Sequence, residues 1–548
     1  MQSIQNPNSK IQNRTKAIAL AAMCLALFMT NLDDTVMNVA LPKMQTSLDS
    51  TLSGLQWILN AYSLPLASLV LPSGTLGDIY GRKRVFLSGL VIFTIASAIC
   101  GFAPNLGILI AGRIIQGIGA AALIPGSLSL VADTFPDPHE RTKAIGIWCA
   151  VSGLALLAGP TFGGLLIDTL GWQSVFFLNL PLGVITFRIA SRFVKETAQP
   201  SKRSLDVPGL LLSIIFLASF VCALTDGNTG GLQSPLIIWL YAIAGLSFVS
   251  FLYVESRSSN PILPLHLFKN PTFTVVTVVQ VLVFFTLVSL LFVFSLFLQQ
   301  VQGYSAAEAG LRFVPLNGTF VIASFVSGWF AARLGWRFTI ATGTVMAGVA
   351  AFSLSRIAFD TDYGDIWGNL VLSGFGVGLT LSPLAAAAMS SVPPNKAGIA
   401  SAILNTGTRI GSVLGITIQG TIFTQRLVSD FARSLSTWNL PSNLQEQLIA
   451  DALHGAIKIP ADLPANISVQ AIHEAFSKAF VSGVHSTVLV ASIALLAGAF
   501  LIVVFVPPMR DLEVENRKSK VESHLGSRKS EVESHLGSRK SEVESRKY

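Results

Sequence analysis

Apolar residues run along this chain in long blocks separated by short polar turns. A helix that crosses a bilayer needs about 20 mostly apolar residues. Fourteen blocks meet that requirement. They lie near 17–38, 52–72, 85–102, 107–131, 143–167, 173–193, 207–225, 236–254, 273–298, 310–332, 338–357, 366–390, 398–424 and 484–506. The pattern predicts an all-α membrane protein of about fourteen transmembrane helices.

The turns carry an independent signal. Numbered from a cytoplasmic N-terminus, the inside turns hold Arg82, Lys83 and Arg84, then Arg141 and Lys143, then Arg192, Lys195, Lys202 and Arg203. Arg257, Lys269, Arg333, Arg337 and Lys396 continue the series. The outside turns hold little basic charge beyond Lys43, and several acids, among them Asp49, Asp168, Asp226 and Asp360. Basic residues gather on the cytoplasmic side of membrane proteins. One span more or fewer would scramble the alternation, so both termini are expected to be cytoplasmic in the plasma (inner) membrane.

Composition fits lipid as the solvent. Of 548 residues, 51% are apolar and 12% charged, against about 25% charged in soluble domains. The net charge of +8 sits in short turns beside the expected headgroups, which removes the case for nucleic acid. Cys24, Cys100, Cys149 and Cys222 lie inside apolar blocks without a C-x-x-C spacing. They read as small buried hydrophobes, and no cluster with metal-ligand spacing occurs. Lys10, Arg14 and Lys16 precede the first block, but no small-residue cleavage site follows, so that block reads as an uncleaved span. The stretch 425–483 reads as a long polar external loop with helix-like pieces at Leu444–Leu453 and Val469–Phe480. Its sequon, Asn466-Ile467-Ser468, is best explained by chance. After Pro508, the string V-E-S-H-L-G-S-R-K-S-E begins at Val521 and again at Val532. This low-complexity tail reads as disordered, with a docking tail as the sharper alternative.

Four strings inside this frame carry mechanism. The turn after the second block reads Gly74-Thr75-Leu76-Gly77-Asp78-Ile79-Tyr80-Gly81-Arg82-Lys83-Arg84. Glycines allow a tight reversal and close helix approach, and Asp78 sits where a helix start favours a carboxylate. The fourth block holds Gly112-Arg113-Ile114-Ile115-Gln116-Gly117-Ile118-Gly119. An arginine inside a span is costly unless paired or near water, and snorkelling to the interface is the plainer alternative. The fifth block contains Gly159-Pro160-Thr161-Phe162-Gly163-Gly164. Its proline removes a backbone donor and bends the helix. The first block ends Leu32-Asp33-Asp34-Thr35-Val36-Met37-Asn38-Val39-Ala40-Leu41-Pro42, and its acids could be merely interfacial.

These strings, in these positions, resemble the signatures of the major facilitator superfamily, and in particular its fourteen-span drug/proton antiporter family of multidrug-resistance exporters. The resemblance spans about residues 15–510. It implies two six-helix bundles around a central cavity, with two extra helices between them. The expected divisions are an N-tail over 1–16, bundles over 17–196 and 265–508, a linker pair over 197–264 and a tail over 509–548. It implies that Gly74, Asp78, Gly81, Arg82 and Lys83 form a conformational latch between the halves. It implies that Gly159, Pro160, Gly163 and Gly164 mark an antiporter, and that Asp33 and Arg113 serve proton coupling, with Asp34, at a position that varies in that family, as a further proton-coupling candidate.

Depth supports the last pairing. At 1.5 Å per residue, Asp33 lies about 24 Å along the first span and Arg113 about 9 Å from the outer end of the fourth. Both fall in the outer half of a core about 30 Å thick, so they are expected to approach each other. A carboxylate's proton affinity depends on its distance from a guanidinium and on its hydration, so a movement that separates the pair would couple to protons. Arg409 lies about 16 Å into its span, where it is expected either to hold an anionic substrate group or to tether a carbonyl. Gln56, Asn60, Gln280, Asn317, Asn405 and Gln419 are candidate cavity or substrate residues, and Trp57 and Tyr62 candidate aromatic contacts. Helix–helix hydrogen bonds are the competing reading for each.

The expected function is proton-coupled antiport that exports a drug-like, lipophilic or metabolic compound by alternating access, without a cofactor beyond the proton gradient. No G-x-x-x-x-G-K-S/T loop occurs, so ATP hydrolysis is not expected, and no Ser/His or paired-acid arrangement suggests an enzyme. A facilitator or importer on the same fold is the alternative, and a non-transporting membrane sensor is a third reading. A periplasmic adaptor is a partner that the external segment could serve.

Overall fold

The computed structural model describes residues 7–196, 206–230, 234–258, 261–393, 396–438, 440–455 and 467–508. Residues Lys202 and Arg203, Asn466 and the repeats after Pro508 lie outside the described residues.

The first half holds α1 (Pro7–Ser47), α2 (Leu52–Tyr80), α3 (Arg82–Gly101), α4 (Leu106–Thr134), α5 (Pro138–Leu170) and α6 (Gln173–Phe193). A hairpin of α7 (Val207–Gly230) and α8 (Pro235–Arg257) follows. The second half holds α9 (Pro271–Leu296), α10 (Ala306–Arg312), α11 (Val314–Leu334), α12 (Trp336–Leu354), α13 (Tyr363–Ser390), α14 (Ala397–Leu414), α15 (Gly420–Ser436), α16 (Ser442–Leu453) and α17 (Val469–Phe505). No strand occurs among the described residues.

The ends of these helices are written locally. Thr51 and Asn105 accept backbone N–H bonds from Gly54 and Ile108. Asp137 and Asn270 do the same ahead of Pro138 and Pro271, a cap followed by a proline whose missing N–H is no loss there. Gly81, Gly171 and Gly335 join consecutive helices at φ of +106°, +83° and +84°, a region that side chains disfavour.

The halves repeat one packing scheme. In the first, α1 packs on α5 and α6, α4 packs on α2 and α3, and α3 packs on α6. In the second, α9 packs on α14 and α17, α13 packs on α11 and α12, and α12 packs on α17. One glycine crossing repeats as well. A Cβ on Gly89 of α3 would meet the Gly119 carbonyl of α4 at 2.9 Å, and one on Gly376 of α13 would meet the Ala347 nitrogen of α12 at 2.6 Å. Small residues at such crossings let helices approach closely where lipid supplies no hydrophobic drive.

Thirteen helices among the described residues are long and apolar enough to cross a bilayer. The other predicted span, 398–424, forms as α14 and runs through a π turn at Gly415–Gln419 into α15. It carries Asn405, Thr406, Thr408, Arg409 and Ser412, and it packs against α9 and α2 between the halves. The predicted stretch 425–483 holds its two helix-like pieces, 444–453 within α16 and 469–480 at the start of α17, and is more helical than a loop. Most of its described length is helix, because α15 and α17 continue beyond the predicted spans. Their apolar faces close on each other, with the Phe423 and Phe480 rings 4.9 Å apart and those of Phe431 and Phe476 5.8 Å apart. Leu444 and Leu448 of α16 are buried with them. The stretch is polar because only one face of each helix is apolar.

Contacts sort to two faces. On the face of the N-terminus, Lys16 pairs with Glu140 at 2.7 Å, Lys83 Nζ donates to the Ser191 carbonyl at 2.7 Å, and Lys396 meets His266 at 2.7 Å. On the far face the halves are tied together. Gln300 donates to Gln45 Oε1 at 2.6 Å, Ser295 to the Asn38 carbonyl at 2.5 Å, and the Ala307 N–H to Asp168 at 2.8 Å.

The α12–α13 crossing should tolerate no side chain. Gly376→Val is expected to lower stability by about 1–3 kcal/mol. Gly318→Ala, which meets nothing within 4 Å, should leave the thermal unfolding midpoint of the purified protein nearly unchanged.

Candidate functional site

One turn of α1 places two adjacent acids in different surroundings, since consecutive helical residues point about 100° apart. Asp33 faces the interior of the first half. Its Oδ2 accepts from Arg113 of α4 at 2.5 Å, and both side chains have no exposure. Oδ1 accepts from Gln116 at 2.8 Å and from Asn179 of α6 at 3.0 Å. Gln116 and Asn179 also donate to Ser97 of α3, at 2.9 and 3.3 Å. Arg113 Nε donates to the Ile58 carbonyl of α2 at 3.2 Å, and the guanidinium carbon lies 4.3 Å from the Tyr62 ring centroid. Five helices therefore meet at one carboxylate. Snorkelling of Arg113 is excluded by this burial.

Gln116, Asn179, Ser97 and Ile58 were not singled out from the sequence. Gln116 could have been, because position i+3 shares the helix face of Arg113. Asn179 showed itself only as a lone amide in an apolar span, and Ser97 gave no signal.

Asp34 faces the space between the halves. Its Oδ2 accepts from Arg409 NH1 of α14 at 2.7 Å, with side-chain exposures of 32% and 15%. Both line a cavity of about 500 Å³ whose walls come from α1, α2, α5, α9, α11, α13 and α14. Trp148, Phe284, Leu287, Phe320 and Phe325 supply apolar wall, and Asn31, Ser63, Ser152, Ser324 and Ser412 supply hydroxyl and amide groups. The expectation that Arg409 tethers a carbonyl is corrected, since its protein partner is a carboxylate from the other half.

The remaining polar candidates do not line this cavity. Asn60 donates to Thr417 at 2.9 Å, Gln280 to Thr408 at 2.8 Å, and Gln419 to the Phe285 carbonyl at 3.2 Å. Gln56 is buried against Gly420, and Asn317 is buried within α11. Asn405 donates to the Ser401 carbonyl one turn back. Trp57 donates to Asp226 of α7 at 2.9 Å. Asn60, Gln280, Gln419 and Trp57 thus join helices, because a polar group in an apolar span needs a partner wherever it falls, while the Gln56 amide makes no hydrogen bond among the described residues.

At the N-terminal face, Arg82 donates to Asp78 at 2.9 Å and to both oxygens of Asp133 at 2.8 and 2.9 Å. Glu196 accepts the backbone N–H groups of Lys83 and Arg84. These partners all belong to the first half. Gly74 has nothing within 4 Å of a Cβ position, so it makes no close approach; Gly81 makes the reversal. In α5, Gly159 and Gly163 lie against Thr35 and Val36 of α1, while a Cβ on Gly164 would meet the Ala306 carbonyl of α10 at 2.5 Å. Pro160 lies against Gly310 of α10. The helix therefore packs on α1 of its own half and on α10 of the other at the far face.

Removing one member of the buried pair should leave an uncompensated charge. Asp33→Asn is expected to destabilise the protein by about 3–5 kcal/mol, and Asp33→Asn with Arg113→Gln to recover part of the loss. Thermal unfolding of the purified variants checks this.

The sequence profile of the Major Facilitator Superfamily matches residues 23–416. The multidrug resistance protein Stp of Mycobacterium tuberculosis is 35% identical over 443 residues, covering 80% of this chain and 82% of that protein. The methylenomycin A resistance protein of Streptomyces coelicolor is 34% identical, over 77% of this chain and 88% of its own. The tetracenomycin C resistance and export protein of Streptomyces glaucescens is 30% identical, over 88% and 90%. Among solved structures, a bacterial homologue of the human lysosomal transporter Spinster, described as inward-facing and unoccupied, superposes with a TM-score of 0.59 at 18% identity. It covers 89% of this chain and 98% of that one. With the repeated six-helix halves, the cavity between them and these matches, the chain belongs to the major facilitator superfamily, among relatives named for multidrug and antibiotic resistance.

Proposed function

We propose that this small-molecule transporter is a proton-coupled antiporter that exports a drug-like, lipophilic or metabolic compound across the plasma membrane by alternating access. The observation that carries the reading is the separation of two charged sites one residue apart. Asp33 is held by Arg113 with no exposure, while Asp34 opens on the cavity. One site suits an ion that needs no room, the other a molecule that does.

The basic turns support a cytoplasmic N-terminal face. The far-face ties and the packing of Gly164 and Gly310 then close the cavity toward the outside, which leaves it to fill from the cytoplasm. α1 is tied to the second half through Asn38, Val39 and Gln45, so parting of the halves would pull α1 against α4 within the first half and change the Asp33–Arg113 separation, and with it the carboxylate's affinity for a proton. A potential of 100 mV supplies about 2.3 kcal/mol per proton moved, so the reading needs no nucleotide, cofactor or catalysed bond change. The helical cap of α15, α16 and α17 is where a periplasmic adaptor would meet the protein in a cell with two membranes.

Transport into inside-out vesicles tests this. Wild type should accumulate substrates from a panel of lipophilic compounds only while a pH gradient stands, and should release protons when substrate is added. Asp33→Glu should keep the exchange with an altered pH profile, and Asp33→Asn should lose it. Substrate movement that an uncoupler leaves untouched would favour a facilitator instead.

A further inference from the structure

Asp34 and Arg409 are the only charged side chains among the residues that line the cavity. They lie on opposite halves and neutralise each other at 2.7 Å. Behind that wall, Asp33 and Arg113 also sum to zero. The remaining lining is aromatic, aliphatic, hydroxyl or amide, with one thiol at Cys149. A lipophilic molecule with one net charge therefore meets no unspent counter-charge. To pair with either residue it must strip that residue from its partner, which leaves the other uncompensated beside apolar walls.

The pair is not saturated. Asp34 is hydrogen-bonded through Oδ2, and Arg409 through NH1. Asp34 Oδ1 and the Nε and second terminal nitrogen of Arg409 make no hydrogen bond to the protein among the described residues. A carboxylate oxygen accepts, and guanidinium N–H groups donate in a planar fork. Together they present an acceptor and donors side by side on a neutral wall.

We propose that the Asp34–Arg409 pair is a charge filter. It admits lipophilic molecules of zero net charge whose polar end carries a hydrogen-bond donor beside an acceptor, or a zwitterion, and it rejects lipophilic monocations and monoanions. This rests on reading the cavity as the transport site. A molecule bound there bridges α1 and α14, so it touches both halves at the point where they must move.

Two probes of nearly equal shape and opposite charge test it: tetraphenylphosphonium and tetraphenylborate. Their binding to the purified full chain is measured against protein-free detergent, and the ratio of the two affinities is compared across variants. Arg409→Gln leaves Asp34 alone and should shift the ratio toward the phosphonium by about tenfold or more. Asp34→Asn leaves Arg409 alone and should shift it as far toward the borate. The double variant Asp34→Asn/Arg409→Gln should return to the wild-type ratio, and it shows that a single variant's change is not loss of fold. A ratio that stays fixed across all four proteins overturns the filter, as does a wild-type ratio equal to that of Arg409→Gln, which would make the cavity a cation site. Failure of the export reading looks different: the ratio shifts persist while gradient-driven transport is absent.

Discussion

A carboxylate and a guanidinium without solvent exposure can coexist in an apolar helix bundle only if their charges and hydrogen-bonding groups are met from within. Asp33 and Arg113 meet most of that demand by drawing on α1, α2, α3, α4 and α6, with one terminal nitrogen of Arg113 left without a hydrogen bond among the described residues. The solution constrains much of the first half. It requires α4 to lie close enough to α2 for Arg113 to reach the Ile58 carbonyl, which Gly117 permits because its Cα lies against the Tyr62 carbonyl. It requires polar groups at Ser97 and Asn179 on helices that otherwise face lipid. An arrangement so specific is also breakable, because it depends on the register of α1 against α4.

The same helix carries the second pair, and the contrast between them shapes the site. Asp33 is met by a partner within its own half, so it can report on movement without touching the transported molecule. Asp34 is met across the cavity, so it reports on the other half. α1 also ties the far face, through Asn38, Val39 and Gln45, and it packs against Gly159 and Gly163 of α5. In the proposed antiport, coupling between proton, substrate and closure would need no long pathway. One helix touches all three.

The spans were legible because apolar length is a strong signal in a medium that satisfies no backbone group, and the turns were legible from their charges. The meeting of Asp33 and Arg113 was expected because the family resemblance assigns both to proton coupling and their depths along antiparallel helices agree. What the sequence hid depends on direction around a helix rather than position along it. Arg409 reaches Asp34 because both face one cavity, and nothing in a single span shows which neighbour its face meets. For the same reason Asn60 and Gln280 stood as cavity candidates beside a helix–helix reading, and it is the helix–helix bond that forms. The helical pieces of the cap at 444–453 and 469–480 were legible, but their half-polar faces hid that the cap packs together, as the Phe431 and Phe476 rings do.

The central claim is that the Asp33 carboxylate changes its protonation as the halves alternate. Infrared difference spectroscopy of the membrane-reconstituted protein, with substrate added and removed, observes the carboxylic acid C=O stretch directly. The account predicts a carboxyl band that appears or vanishes with substrate in wild type, shifts in Asp33→Glu and is missing in Asp33→Asn. A band that persists unchanged in Asp33→Asn, or a wild-type spectrum without any carboxyl change during transport, would contradict it.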